Sequence, residues 1–395
     1  MKVRLFNVKF SPNLGDGLLS QCLEKALVDL GADPDTWSVD LAARKAYGDV
    51  LGGRTQIMAA LDLLPGPIRR EVIRAPLALH AARSWRPHYA HGLADADCVV
   101  IGGGNLISDI DLNFPTKLTL AMEEAEKRKL PVVVYASGVT SGWTPRGTEM
   151  LRRAFAKPIL KGVFVRDADS AALWDAALAE TSGHRAQVVR DPGLLAAEWS
   201  PQPPRPAGER TVVGLGVMSH IAIRYHADNA PPAASLDRWY VDVARGLIDA
   251  GCQVRVFTNG SPEDKIYAAK LRPALTALGG EERLTFLEQR TPAELCAHIA
   301  AFDALIAFRM HAIIAAYSYG VPSVGLAWDR KLQSFMASVG RERFFRNLAT
   351  FSAIDCVATT IKAAQEGISE TERLAVLDEA RHGVAQLYAV LRASL

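Results

Sequence analysis

Ala304-Leu305-Ile306-Ala307-Phe308-Arg309-Met310-His311-Ala312-Ile313-Ile314-Ala315-Ala316, closed by Tyr319-Gly320-Val321-Pro322 before Ser323-Val324-Gly325, sets out the folding unit of this chain. A short run that is apolar at every position reads as a strand buried on both faces. The apolar stretch after Arg309 and His311 is long enough for a helix, and Gly-x-Pro breaks it before a second buried run. Two parallel strands need a crossover between them, and a helix of this length supplies one.

The same alternation extends in both directions. Before residue 200, strands are expected at residues 3–6, 37–41, 98–101, 132–135, 159–165 and 187–189, with helical stretches at residues 17–30, 118–129 and 170–179. Residues 200–208 hold four prolines, which fix φ and remove donors, so they suit a linker. Beyond it the pattern restarts, with strands expected at residues 211–217, 253–257, 284–286, 304–307 and 323–325. The fold class is therefore α/β, with two doubly wound, Rossmann-like domains. The first spans residues 1–200 with a basic insert at 66–92. A linker at 201–210 leads to the second, at 211–369, and a terminal helix at 370–395 can pack back on the first. In such a pair ligands are expected outside the carboxyl ends of strands, in the cleft that the domains face.

Composition narrows the function. The 395 residues are 49% apolar, and 45 basic against 43 acidic side chains give a net charge of +2, too small a field to draw in nucleic acid. Any anion site must be local. Five cysteines stand singly, without a Cys-x-x-Cys pair, which argues against a disulfide framework and a zinc knuckle and favours a reducing compartment. The amino terminus reads as a strand and not as a secretory signal, and the most apolar stretch, residues 300–326, is interrupted by Asp303, Arg309 and His311. A cytoplasmic protein without a membrane-spanning helix is expected.

Four strand-to-helix loops carry polar groups that can do chemistry. Asn13-Leu14-Gly15-Asp16 follows the first strand; Asp16 reads either as a helix cap or as a functional acid. Gly102-Gly103-Gly104-Asn105 lets a ligand approach the backbone but lacks dinucleotide-fingerprint spacing, so it is either a bland turn or a substrate loop. In Arg166-Asp167-Ala168-Asp169-Ser170 the guanidinium suits a carboxylate or phosphate, or else an ion pair with Asp167, Asp169 or Asp191. Arg309 and His311 head an apolar segment, where burial without a partner is costly, so they point to a ligand-facing site against a satisfied core histidine. Residues 66–92, with Arg69, Arg70, Arg74, Arg83 and Arg86, form either a solvated face or a surface for an anionic headgroup.

These loops, taken in order with Lys331, resemble the polysaccharide pyruvyl transferase family. The resemblance implies two domains arranged as in GT-B glycosyltransferases and phosphoenolpyruvate as co-substrate. It also implies neither a metal nor a nicotinamide cofactor, and an acceptor that is a sugar or a lipid-linked oligosaccharide. Contact with the inner face of the membrane is part of the same expectation, and nucleic acid is not. By motif it places His311 and Asp16 in catalysis, with Asp16 across the cleft from the histidine. Arg166, Lys331, Arg309, Asn13, Gly15, Gly103, Gly104 and Asn105 are placed in substrate binding. The implied product is a pyruvate ketal on a surface or exported polysaccharide. Two rivals stay open: a GT-B nucleotide-sugar glycosyltransferase, although the second half lacks a glutamate pair separated by seven residues, and a non-catalytic sugar-binding relative.

Overall fold

Two six-stranded sheets, both parallel throughout, account for every strand among the described residues. The computed structural model describes residues 1–48, 80–203, 210–224, 233–327, 330–347 and 351–395. The chain divides into two compact units, the first comprising Met1–Ser11, Leu19–Pro192 and Glu379–Leu395, the second Pro12–Leu18 and Gly193–Asp378. The first loop, read from sequence as part of the amino-terminal half, thus groups with the second unit. The proline-rich segment also falls within the second unit's span, with residues 204–209 outside the described residues.

Unit 1 is built on β1 (Val3–Asn7), β2 (Trp37–Asp40), β3 (Cys98–Gly102), β4 (Val132–Ser137), β5 (Leu160–Val165) and β6 (Gln187–Val188), in the order β2-β1-β3-β4-β5-β6. β3 and β4 are buried at every position, and the edge strand β6 is exposed at both of its residues. That contrast follows from the sequence: Cys98-Val99-Val100-Ile101 and Val132-Val133-Val134-Tyr135 are apolar on both faces, as a central parallel strand under helices requires. Phe155 and Trp174 meet edge to face in this core at 5.0 Å. A buried apolar side chain of this kind contributes about 1.5–3 kcal/mol.

Unit 2 contains β7 (Val212–Gly216), β8 (Gln253–Phe257), β9 (Leu284–Phe286), β10 (Ala304–Ala307), β11 (Ser323–Ala327) and β12 (Phe345–Asn347). Their order, β12-β11-β10-β7-β8-β9, means that the chain runs outward from β7 to β9, returns to the middle, and runs outward the other way from β10. β7 and β10 are paired neighbours whose following segments lead in opposite directions. A crevice opens where such connections part, and in open parallel sheets that is where ligands bind. β12 was not foreseen: Phe345-Arg346-Asn347 has neither length nor alternation, and it lies at the sheet edge.

The basic stretch 66–92 is described only from His80 onward, as a π-helical turn Ala81–Trp85 and the helix Arg86–Gly92, in which Arg86 pairs with Glu123 at 2.9 Å. Its residues 66–79 lie outside the described residues. Among the described residues, no helix is long and apolar enough to cross a membrane. The five cysteines are buried and not disulfide-bonded.

Candidate functional site

In unit 2 the segments leaving β7, β8 and β10 bring together the residues singled out in the first and fourth loops. The loop at 12–15 lies on the turn after β8: Leu14 N–H donates to the Asn259 carbonyl at 2.7 Å. Gly260, at φ +97, passes so close that a Cβ would stand 2.7 Å from the Pro12 carbonyl oxygen. Asn13 tightens this loop by accepting from Gly15 N–H at 3.3 Å. The helix Leu14–Asp29 starts two residues before Asp16, so Asp16 sits inside its first turn and is not its N-cap.

Helix Met310–Ser318 begins as soon as β10 ends, with Arg309 as its N-cap residue and His311 in its first turn. The backbone of Gly15 lies against the His311 ring, where a Cβ would come within 2.7 Å of the histidine Cβ and 2.8 Å of Nδ1. Asp16 Oδ1 stands 3.8 Å from His311 Nδ1, within ion-pair range but longer than a hydrogen bond. Asp16 was expected opposite His311; it is found beside it, in the same unit. His311 is 8% exposed.

Arg309 is held from a direction that sequence reasoning missed. Its Nε and Nη2 donate to Asp264 Oδ2 at 3.1 and 2.6 Å, with Ser261 Oγ a weaker partner at 3.4 Å. Asp264 is fully buried in the first turn of helix Pro262–Thr276, and its Oδ1 accepts Ser219 N–H at 2.9 Å. In sequence Asp264 is one acid of an ordinary Pro-Glu-Asp helix start, with nothing to mark its partner. Lys331 lies half-buried in the helix Arg330–Ser338 that follows β11.

Unit 1 has its own strand-end cluster. Gly103 and Gly104 adopt φ of +84 and +66 directly after β3. Asn105 follows, and its Oδ1 accepts from Arg166 Nη2 at 3.3 Å. Arg166 Nε reaches Asp167 Oδ2 at 3.3 Å, while Asp167 caps the next helix through Ser170 N–H at 2.7 Å. The ion pair weighed from sequence is therefore present, and Asp167 also serves as a helix cap. Gly138 is the residue that was missed: a Cβ there would lie 2.3 Å from Asn105 Oδ1 and 2.7 Å from Arg166 Nη2. Its lack of a side chain is what lets both polar groups lie over it. The Arg166 side chain is 6% exposed.

Comparison with known proteins agrees with this architecture. The UDP-GlcNAc 2-epimerase of Neisseria meningitidis, solved with UDP-GlcNAc, superposes with a TM-score of 0.56 at 12% identity, over 100% of both chains. A putative UDP-N-acetylglucosamine 2-epimerase from Listeria monocytogenes gives 0.55 at 12% identity, over 99% of this chain and 96% of its own. The Methanocaldococcus jannaschii UDP-GlcNAc 2-epimerase gives 0.51 at 10%, over 98% of each. At such identities the likeness establishes a GT-B-like fold and nothing about substrate. No curated protein matches the sequence. The model of one family, described as polysaccharide pyruvyl transferase, matches residues 13–330, a span that takes in all four loops described above. The chain belongs to the polysaccharide pyruvyl transferase family.

Proposed function

We propose that this transferase moves the enolpyruvyl unit of phosphoenolpyruvate onto hydroxyl groups of a sugar, forming a pyruvate ketal and releasing phosphate, in the making of a surface or exported polysaccharide. The observation that carries the reading is the Asp16–His311 pair, one carboxylate at 3.8 Å from Nδ1 of a buried histidine in the first turn of a helix. In this scheme the His311 imidazolium protonates the methylene carbon of phosphoenolpyruvate, leaving oxocarbenium character at the carbon bearing the phosphate. A sugar hydroxyl attacks there and returns its proton to the neutral His311 ring. Phosphate then departs with its bonding pair, and a second hydroxyl closes the ketal as its proton leaves to phosphate or solvent. Asp16 stabilises the imidazolium in this scheme and is not itself the base. Arg309 and Lys331 in unit 2 are substrate-binding cations, suited to a small molecule that carries both a phosphate and a carboxylate, and Arg166 is the cation of the strand-end cluster in unit 1. Asn13, Gly15, Gly103, Gly104 and Asn105 shape the loops around them. The acceptor is a sugar, free or lipid-linked.

The test is to incubate the purified chain with phosphoenolpyruvate and candidate acceptors, lipid-linked oligosaccharide included, while following inorganic phosphate and the mass of the acceptor. Phosphate release matched to acceptor mass gain is the expected result. Tight UDP binding with no response to phosphoenolpyruvate would instead support a nucleotide-sugar enzyme.

A further inference from the structure

We infer that Asp264 is the positioning residue of the anion site, and that it acts by fixing the orientation of Arg309. The inference rests on the reading of Arg309 as a phosphoenolpyruvate ligand. β7 and β10 are the neighbours from which the chain of unit 2 turns in opposite directions, and Asp264 ties the segments that follow them to each other. One carboxylate oxygen takes the Ser219 N–H beyond β7, and the other takes two nitrogens of Arg309 beyond β10. The carboxylate itself belongs to a third element, the first turn of helix Pro262–Thr276.

A carboxylate beside a site for anions is at first sight misplaced, because its field repels the ligand. Two features explain its presence. It is fully buried, and its oxygens are spent on three hydrogen bonds within the protein. Its pairing also uses only the Nε and Nη2 positions: among the described residues, Arg309 Nη1 has no hydrogen-bond partner, and the side chain keeps 20% of its surface exposed. The guanidinium is thus clamped along one edge and can present the other. A long side chain that is already ordered costs less to immobilise when the ligand arrives, a saving of about two- to ten-fold in affinity per side chain.

The two effects of Asp264 have opposite signs, which makes them separable. Acting through Arg309, the carboxylate raises affinity for an anion; acting directly through space, it lowers it. Equilibrium binding of phosphoenolpyruvate, inorganic phosphate and pyruvate is measured for the native chain, Asp264→Asn, Asp264→Glu, Arg309→Ala and the Asp264→Asn/Arg309→Ala pair, with melting temperatures alongside. We expect Asp264→Asn to weaken phosphoenolpyruvate binding about ten-fold in the native background and to leave it unchanged or slightly tighter in Arg309→Ala. Asp264→Glu keeps the charge but displaces the guanidinium, so it should not restore affinity. The expected kinetic counterpart is a higher KM for phosphoenolpyruvate with a smaller change in kcat. Arg309→Ala strands a buried carboxylate and should lower Tm, and Asp264→Asn should recover part of that loss in the pair. The stability comparison holds even if the single Asp264→Asn chain binds too weakly to measure. Equal changes in both backgrounds, native affinity in Asp264→Glu, or no recovery of Tm in the pair would overturn the positioning role. A native chain that binds none of the three anions would overturn the phosphoenolpyruvate reading itself, and a native chain that binds them equally well without Arg309 would overturn the assignment of Arg309.

Discussion

Arg4 and Arg309 are both paired with carboxylates, and they differ in which end of a strand they occupy. Arg4 lies near the start of β1, 1% exposed, stacked at 4.8 Å on Trp37. Its Nε donates to the Gly92 carbonyl at 3.2 Å, Nη1 to the Asp35 carbonyl, and Nη2 to both Asp35 and Asp95 at 2.9 and 2.8 Å. Every nitrogen of that guanidinium is used. Arg309 follows the end of β10, uses Nε and Nη2, and keeps one edge out of the pairing. The closed guanidinium at the strand start is a structural tie between loops, whereas the half-closed one at the strand end is the one proposed above to bind substrate. Ion pairing alone would not have told them apart; the count of spent donors and the end of the sheet do.

The strongest way to break this contrast lies at the strand end. His311→Gln removes the proposed acid and should lower phosphate release from phosphoenolpyruvate, with an acceptor present, by about 10²–10⁴-fold. Retention of near-native release would leave the carboxyl end of β10 without chemistry. Next comes the arginine pair. Arg309→Met should cost about 10²–10³-fold in turnover at fixed substrate, the range for removing one fixed donor from a reaction centre. Arg4→Met should instead reduce stability, by about 1–3 kcal/mol for the carbonyls and packing it abandons, and leave turnover per folded molecule unchanged. Urea unfolding and specific activity, measured on both variants, would show whether the two roles separate.

Two glycines sharpen the comparison further. Alanine is ordinarily about 1 kcal/mol better than glycine within a helix. At Gly15 it is blocked, because the new Cβ meets the His311 Cβ, an atom tied to the backbone. Gly15→Ala should therefore misplace the ring and lower kcat, by about 10²-fold for a shift near 1 Å. Gly138→Ala meets the tips of Asn105 and Arg166, which can swing aside at little cost in stability. Its expected effect is smaller, about ten-fold and mostly in KM, the mark of altered binding. A kcat effect at Gly138 equal to that at Gly15 would remove the distinction between the binding loop proposed in unit 1 and the proton-transferring one proposed in unit 2.

Much of this was legible in the sequence, for a physical reason. Buried parallel strands such as Ala304–Ala307 and Val132–Ser137 are apolar throughout, and helices separate them, so doubly wound architecture shows through without any alignment. Arg309 and His311 stood out because charge at the head of an apolar run is costly unless something meets it, and Arg166 because a guanidinium closing a strand suits an anion. What escaped was pairing across long stretches of chain. Asp264 lies 45 residues from Arg309 and has the local look of any acid in a helix's first turn. Gly138 reads as an unremarkable residue after a strand until Asn105 and Arg166 are placed over it. Asp16 was ambiguous between cap and acid because helix starts are uncertain by a residue or two, and here the start falls at Leu14.

The smallest expected effect is a titration at the strand start. The hydrogen bond from Arg4 is the largest cause holding the Asp35 carboxyl below its ordinary range, with Lys2 a lesser one. For Asp95 the order is reversed, and the hydrogen bond from Lys2 comes first. Both are carboxylates whose folded-state pKa is depressed. The stability they lend is therefore present above the ordinary carboxylate range and fades as pH falls through the lowered folded values. Arg4→Met should return Asp35 toward its ordinary value further than it returns Asp95, and should flatten the acid side of the stability profile. Carboxyl titrations by NMR in the native chain and the variant measure both shifts directly. Equal movement of the two would mean that Arg4 acts as a diffuse charge and not through its bond to Asp35, and the closed guanidinium would lose the geometric meaning assigned to it.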